Sequence, residues 1–237
     1  MSLLTVAQAV MEEVGLPAPS VVVGSSSKQV KQLLRLINRS GNRLAKKNWT
    51  ILQREHTDVT VASTASYSLP SDFERMLDQT AWDRDSYWML RGPLSPKEWQ
   101  VKKSALVASA TLRSNFRIKA DTRVNKFFID PTPSTAVDFV FEYASAQWVK
   151  ASDNASGKTK YELDTDISLI SEELLELDVI WRLLARKGFA YEEEHEEAGR
   201  AIDQAFADDG GAPVLDFGGG SVAASERLNL PEGNFTL

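Results

Sequence analysis

Apolar positions recur at helical spacing at both ends of the chain and alternate in its middle. Val6, Ala9, Val10 and Val14 mark one face of a helix over 2–15, with Gly15 placed to end it. A Pro-bearing connection leads to a second helix over 25–48, whose apolar stripe is Val30, Leu33, Leu34, Ile37 and Leu44. Gly41 interrupts that stripe and marks an expected close contact with another helix. The period then falls to two: alternation predicts strands within 50–62, 77–82, 86–90, 110–118, 125–129 and 137–143, divided by Pro, Asp and Gly. Between the first two lies Tyr67-Ser68-Leu69-Pro70-Ser71-Asp72-Phe73-Glu74-Arg75-Met76. Its Ser71 and Glu74 stand at capping-box spacing and predict one helical turn, with Phe73 and Met76 packing on the sheet. Ser95-Pro96-Lys97-Glu98 is a complete helix start, with serine at the N-cap, proline in the first turn and glutamate at the reciprocal position.

Helical period returns after a polar, loop-like stretch. Leu174, Leu177, Ile180, Trp181 and Leu184 share one helix that Gly188 can end, and Ala198, Ala201, Ile202, Ala205 and Phe206 share the next. Each terminal pair of helices has one apolar face and is too small for a core of its own, so the economical solution packs the pairs together. The expected class is α+β: a helical bundle from the N- and C-terminal helices, an inserted antiparallel β-sandwich or barrel-like domain, and an extended C-terminal arm. The boundaries fall at 1–49 with 161–209 for the bundle, 50–150 for the β-rich insert, 151–160 for a linker and 210–237 for the Gly-rich arm.

Composition narrows the chemistry. The 237 residues contain no cysteine, which removes disulfides, thiolate metal sites and thiol catalysis. No apolar run has the length of a membrane span, and the N-terminus lacks a charged-then-apolar signal pattern. The expectation is a soluble chain made in a reducing cytosol, with no membrane partner. Its net charge of −6 argues against wholesale nucleic-acid binding but hides an asymmetry. Lys28, Lys31, Arg35, Arg39, Arg43, Lys46 and Lys47 fall in a stretch without an acid, whereas acids dominate 162–209. Such blocks face each other or face a partner.

Lys31, Arg35, Arg39, Arg43 and Lys47 recur every four residues and lie along one helix face. That stripe is a solvated face, a partner of the acidic C-terminal helices, or a contact surface for an acidic neighbour or passing nucleic acid. It has neither interleaved aromatics nor a helix-turn-helix signature for reading DNA sequence. No catalytic, cofactor or metal residue is assigned. His56 and His195 stand alone, and the acids around His195 point in all directions on a helix. Asp164-Thr165-Asp166 could offer oxygen to a cation, and a turn accounts for it equally well. Gly24-Ser25-Ser26-Ser27-Lys28 lacks the second glycine and the preceding strand of a phosphate loop.

The 67–76 segment, the tryptophan of Thr80-Ala81-Trp82, and Leu90-Arg91-Gly92-Pro93-Leu94-Ser95-Pro96-Lys97-Glu98-Trp99 resemble the head-to-tail adaptor (connector) proteins of tailed bacteriophages, including the tail tubular protein A type. The resemblance continues through Phe116-Arg117-Ile118, Phe128-Ile129-Asp130-Pro131-Thr132-Pro133, Phe139 to Tyr143, Glu173 to Leu177 with Val179-Ile180-Trp181, and Lys187 to Tyr191. It covers about 33–206 in the family's order. One departure is the entry to the last helices, Leu169-Ile170-Ser171-Glu172, where the family runs into a Leu-Pro-Glu-like start.

The resemblance implies a non-enzymatic virion protein at the portal vertex, made in the host cytoplasm. Its members form a homo-oligomeric ring, generally dodecameric, from subunits that can be monomers alone. The ring lies beneath the portal protein, extends the channel through which genomic DNA passes non-specifically, and gives the tail or nozzle protein its docking surface. It also implies a C-terminal arm that orders on the portal, with Leu215, Phe217, Leu228, Leu230 and Phe235 as anchors. No cofactor is implied. The basic stripe would then face a subunit interface or the DNA channel. Two other classes remain on the residues themselves. One is a phage wall hydrolase or nuclease acting through its acids. The other is a β-sandwich carbohydrate- or receptor-binding module using Trp82, Tyr87, Trp88 and Trp99.

Overall fold

The structure is a computed structural model and describes residues 2–104, 114–153 and 156–210. In chain order it has α1 (Leu3–Glu13), α2 (Lys28–Leu44), a 3-10 turn (Thr50–Leu52), β1 (Gln53–Val59), β2 (Ser66–Ser68), β3 (Phe73–Met76), β4 (Trp82–Asp83), β5 (Trp88–Met89) and α3 (Pro96–Ser104). There follow β6 (Asn115–Asp121), β7 (Val124–Asp130), β8 (Asp138–Ser145), β9 (Val149–Lys150), β10 (Gly157–Lys158), β11 (Ile167–Ser168), α4 (Glu172–Lys187) and α5 (Glu192–Asp209). The class is mixed α+β, with antiparallel sheets that among the described residues do not close into a barrel. Residues 2–53 with 145–210 form one compact unit and 54–144 the other.

In the first unit the helical periodicities become one core. Leu3, Val6 and Val10 of α1, Leu33 and Ile37 of α2, and Leu175 and Val179 of α4 are fully buried together. The helix α1 opens on a reciprocal cap between Ser2 and Thr5. The periodic run of α2 stops at Leu44, short of the expected 48, because the indole Nε1 of Trp49 donates to the Leu44 carbonyl at 2.8 Å and turns the chain there. The C-cap of α4 is Gly188 at φ 79°, a left-handed position that glycine takes without a Cβ penalty. α5 lies against α4 and fully buries only Ala198; Ala201, Ile202 and Ala205 are half-buried.

This unit also holds a small sheet, β10-β9-β11, with Lys150 opposite both Gly157 and Ile167. Two-residue strands carry no periodicity, so the polar stretch around them reads as plain loop in the sequence. Trp148, just before β9, enters the helical core and lays its ring on Gly41. The close neighbour of Gly41 is therefore an indole from outside the helices, where the sequence pattern predicts another helix.

In the second unit β1, β3 and β4 all join the sheet that contains β8, and β5 continues it from β4. A separate sheet runs β2-β7-β6. β6 and β7 form a hairpin from Asn115↔Asp130 to Asp121↔Val124, closed by Thr122 and Arg123, both at positive φ as a tight primed turn demands. The core is aromatic: Phe116 and Phe127 stack at 4.7 Å between centroids, and Phe127 and Phe141 at 5.4 Å.

The corner at 67–76 contains no helical turn. The Phe73 amide donates to the Pro70 carbonyl at 3.1 Å, which makes a single β-turn, and the chain then enters β3. Pairing of β3 with β8 takes the backbone groups that a helical turn would have used. Phe73 and Met76 do pack on the aromatic core. The helix start at Ser95 forms as its residues predict: the Ser95 amide donates to Glu98 Oε2 at 2.9 Å and the Glu98 amide to Ser95 Oγ at 3.3 Å.

Candidate interaction surface

Val30, Leu33, Leu36, Ile37, Ser40, Gly41 and Leu44 face the core from α2, which leaves its cations outside. Lys31, Arg35, Arg39 and Arg43 are exposed along the helix, and Lys47 lies beyond its C-terminal end. α4 packs beside α2 and contributes Arg186 from its last turn. Together Lys28, Lys31, Arg35, Arg39 and Arg186 line an open groove of about 600 Å³, with Gln32 and Leu36 at its floor and no acid in its lining. Sequence reasoning did not place Arg186 here, because no local signal relates the end of α4 to the start of α2.

Of the four acids of α4, Asp178 is paired within the helix itself. Asp178 accepts from Arg182 Nε at 2.8 Å and from Arg182 Nη2 at 3.1 Å, and both side chains are buried. Burial is the largest influence and would raise the Asp178 carboxyl, but Arg182, Ser40 and the Trp181 indole together hold it below the usual carboxylate range. Among the described residues, Lys28, Lys31, Arg35, Arg39, Arg43 and Arg186 form no ion pair. Successive cations four residues apart rise about 6 Å along the helix. Like charges four residues apart on a helix destabilise it by about 0.2–0.5 kcal/mol per pair.

Lys47 behaves differently from the rest of its stripe. Its Nζ lies 2.9 Å from Asp203 Oδ1 of α5 and 5.2 Å from the centroid of the Phe206 ring. Beside it, Phe206 meets Trp49 edge-on at 5.7 Å, and Asp209 accepts from the Thr50 amide and hydroxyl at 2.7 and 2.8 Å. Pairing between the basic and acidic blocks thus occurs at this end of α5.

Other candidates resolve into structural roles. Asp164 accepts from the Val22 and Val23 amides at 3.1 and 2.7 Å and ties down the α1–α2 connection. Asp166 is buried and accepts from Lys158 Nζ at 2.8 Å and from the amides of Glu162 and Leu163. Burial would raise its carboxyl, and these donors together hold it low. Asp72 accepts from the Tyr143 hydroxyl at 2.9 Å; burial first, and this bond second, push Tyr143 up to about 12. Asp130 is paired with Lys103 of α3. His195 lies edge-on to Trp181 at 4.6 Å, and His56 sits 5.1 Å from the Phe141 ring. Among the described residues no three His, Cys, Asp or Glu side chains converge as metal ligands.

The four aromatics of the binding-module reading do not form one surface. Trp99 is buried and Trp82 half-buried, whereas Tyr87 and Trp88 are exposed on the β4–β5 hairpin. Leu215, Phe217, Leu228, Leu230 and Phe235 lie outside the described residues.

What distinguishes this α+β protein chemically is a charged surface built on two helices. Comparison with known families says what class carries it. The sequence model of the SU10 adaptor protein family matches residues 1–213, and the chain belongs to that family. It is a bacteriophage structural adaptor protein. The match extends at both ends beyond the 33–206 over which the turn and aromatic motifs run. A comparison with curated proteins gives no match.

Proposed function

We propose that this protein is the head-to-tail adaptor of a tailed phage: a non-enzymatic ring, generally of twelve copies in such assemblies, beneath the portal protein. The ring extends the channel through which genomic DNA passes without sequence reading, and it presents the docking surface for the tail or nozzle. Membership of the adaptor family supports the class. The single structural observation that carries the reading is the unpaired basic groove of α2 and α4, a surface left without a counter-charge among the described residues of its own chain. A ring of identical copies needs two different patches on every subunit, and a chain with separate basic and acidic flanks can supply them.

In this reading the helical unit, the β-rich unit and the 210–237 segment have separate tasks. The last is an arm whose Leu215, Phe217, Leu228, Leu230 and Phe235 order on the portal, since a Gly-rich, thinly apolar segment folds only against a partner. Mass measurement of the full chain with and without purified portal rings tests the proposal. Joint assemblies with several adaptor copies per portal are expected, and a chain that stays monomeric beside portal rings refutes it. Deleting 210–237 should leave a folded chain that no longer joins the portal; unaltered attachment would refute the role of the arm.

A further inference from the structure

We infer that the α2–α4 groove is one half of a head-to-tail contact whose other half is the acidic first part of α5, Glu193, Glu194 and Glu197, from a second copy of this chain. The inference rests on the ring reading above and names the surfaces that would close it. Both halves are present and unsatisfied in one copy. Among the described residues no ion pair joins the cations at 28–43 to the acids at 192–197. Within that acidic run, Glu192 accepts the Tyr191 amide at the helix start and Glu196 reaches Arg200 only at 3.9 Å in full solvent. Glu193, Glu194 and Glu197 have no partner among the described residues.

Packing separates the two halves within one copy: α2 and α5 each lie against α4, and their charged blocks meet where Lys47 pairs with Asp203. Arg35 and Arg39 have the same four-residue spacing as Glu193 and Glu197, so two cations and two carboxylates match in rise along facing helices. The join pairs two different patches, which makes it heterologous, and heterologous contacts generate rings or filaments. A second copy suits the groove better than duplex DNA, because an acidic helix in the same unit and a net charge of −6 oppose a polyanion.

The test uses the full chain with portal rings, reading assembled mass and confirming folding by circular dichroism. Arg35→Glu with Arg39→Glu, and separately Glu193→Lys with Glu197→Lys, should each weaken copy–copy association by about a hundredfold or more through like-charge juxtaposition. Mixing the two variants should restore assembly, since each then meets an opposite charge on both neighbours in strict alternation. Assembly of both variants at wild-type concentration overturns the inference and leaves the ring reading standing. Failure of the mixture to rescue two defective variants also overturns it. A wild-type chain that never multimerises overturns both. Normal assembly of the Arg35/Arg39 variant with loss of salt-dependent binding to duplex DNA would make the groove a nucleic-acid surface instead.

Discussion

Replacing Gly41 by alanine tests the packing that aims the basic face of α2. In an open helix interior this change stabilises by about 1 kcal/mol, because alanine loses less backbone entropy. Here an added Cβ would overlap the six-membered ring of Trp148 well inside van der Waals contact. The ring has little room to retreat: its Nε1 donates to Asn42 Oδ1 at 2.7 Å and to the Thr159 carbonyl at 2.9 Å, and Tyr161 meets it edge-on at 5.2 Å. Overpacking of this kind costs about 1–3 kcal/mol. Shifting the indole forfeits hydrogen bonds worth about 1 kcal/mol each. The clash therefore outweighs the propensity gain, and Gly41→Ala should destabilise the chain by about 2–3 kcal/mol. Urea unfolding followed by far-ultraviolet circular dichroism reads this as a lower midpoint with unchanged slope. In a Trp148→Leu background the same substitution should be neutral or stabilising, with a coupling of at least about 1 kcal/mol between the sites. A Gly41→Ala chain as stable as the parent, or additive effects in the double variant, would refute the reasoning. Since Arg39 and Arg43 flank Gly41, the same contact fixes the rotation of α2 and hence where its cations point.

Three further outcomes follow from the buried charges and the caps. Asp178→Ala leaves the Arg182 guanidinium buried without its counter-charge and should cost about 3–5 kcal/mol in urea unfolding, much of it recovered by adding Arg182→Met. Asp166 and Asp178 both have folded pKa values below the unfolded value of about 3.9, so their contribution is fully present above that value and is lost as pH falls through the folded ones. Acid titration of helical ellipticity should show a transition below about pH 4, shallower in the Asp166→Asn variant; an unchanged slope would remove Asp166 from the account. Ser95→Ala should weaken α3 by about 1 kcal/mol, seen as faster amide exchange over 96–104 with the rest of the chain unaffected.

Elements whose stabilising partners lie within a few residues were legible in the linear sequence. Ser95 and Glu98 cap each other, Gly188 ends its helix, and the 3.6-residue period of α1, α2, α4 and α5 marks their buried faces. The corner at Ser71 shows the limit. Its capping pattern is as complete as that at Ser95, but a strand partner more than sixty residues away claimed its backbone groups. The candidate site divides in the same way. The cations of α2 and their four-residue repeat were visible, whereas their lack of partners was not. That depends on Arg186 arriving at the groove from the end of α4 and on α5 pairing with the stripe at Lys47.

By itself, then, the sequence determined the α+β class, the positions of the helices, the separation of charge into a basic and an acidic block, and the adaptor signature in its turns and aromatics. Local hydrogen bonds and side-chain periodicity are encoded over spans of three to four residues, so they survive being read in one dimension. Tertiary structure alone decided which charges neutralise each other and which remain, because a carboxylate pairs with the cation that packing brings within reach, whatever their separation along the chain.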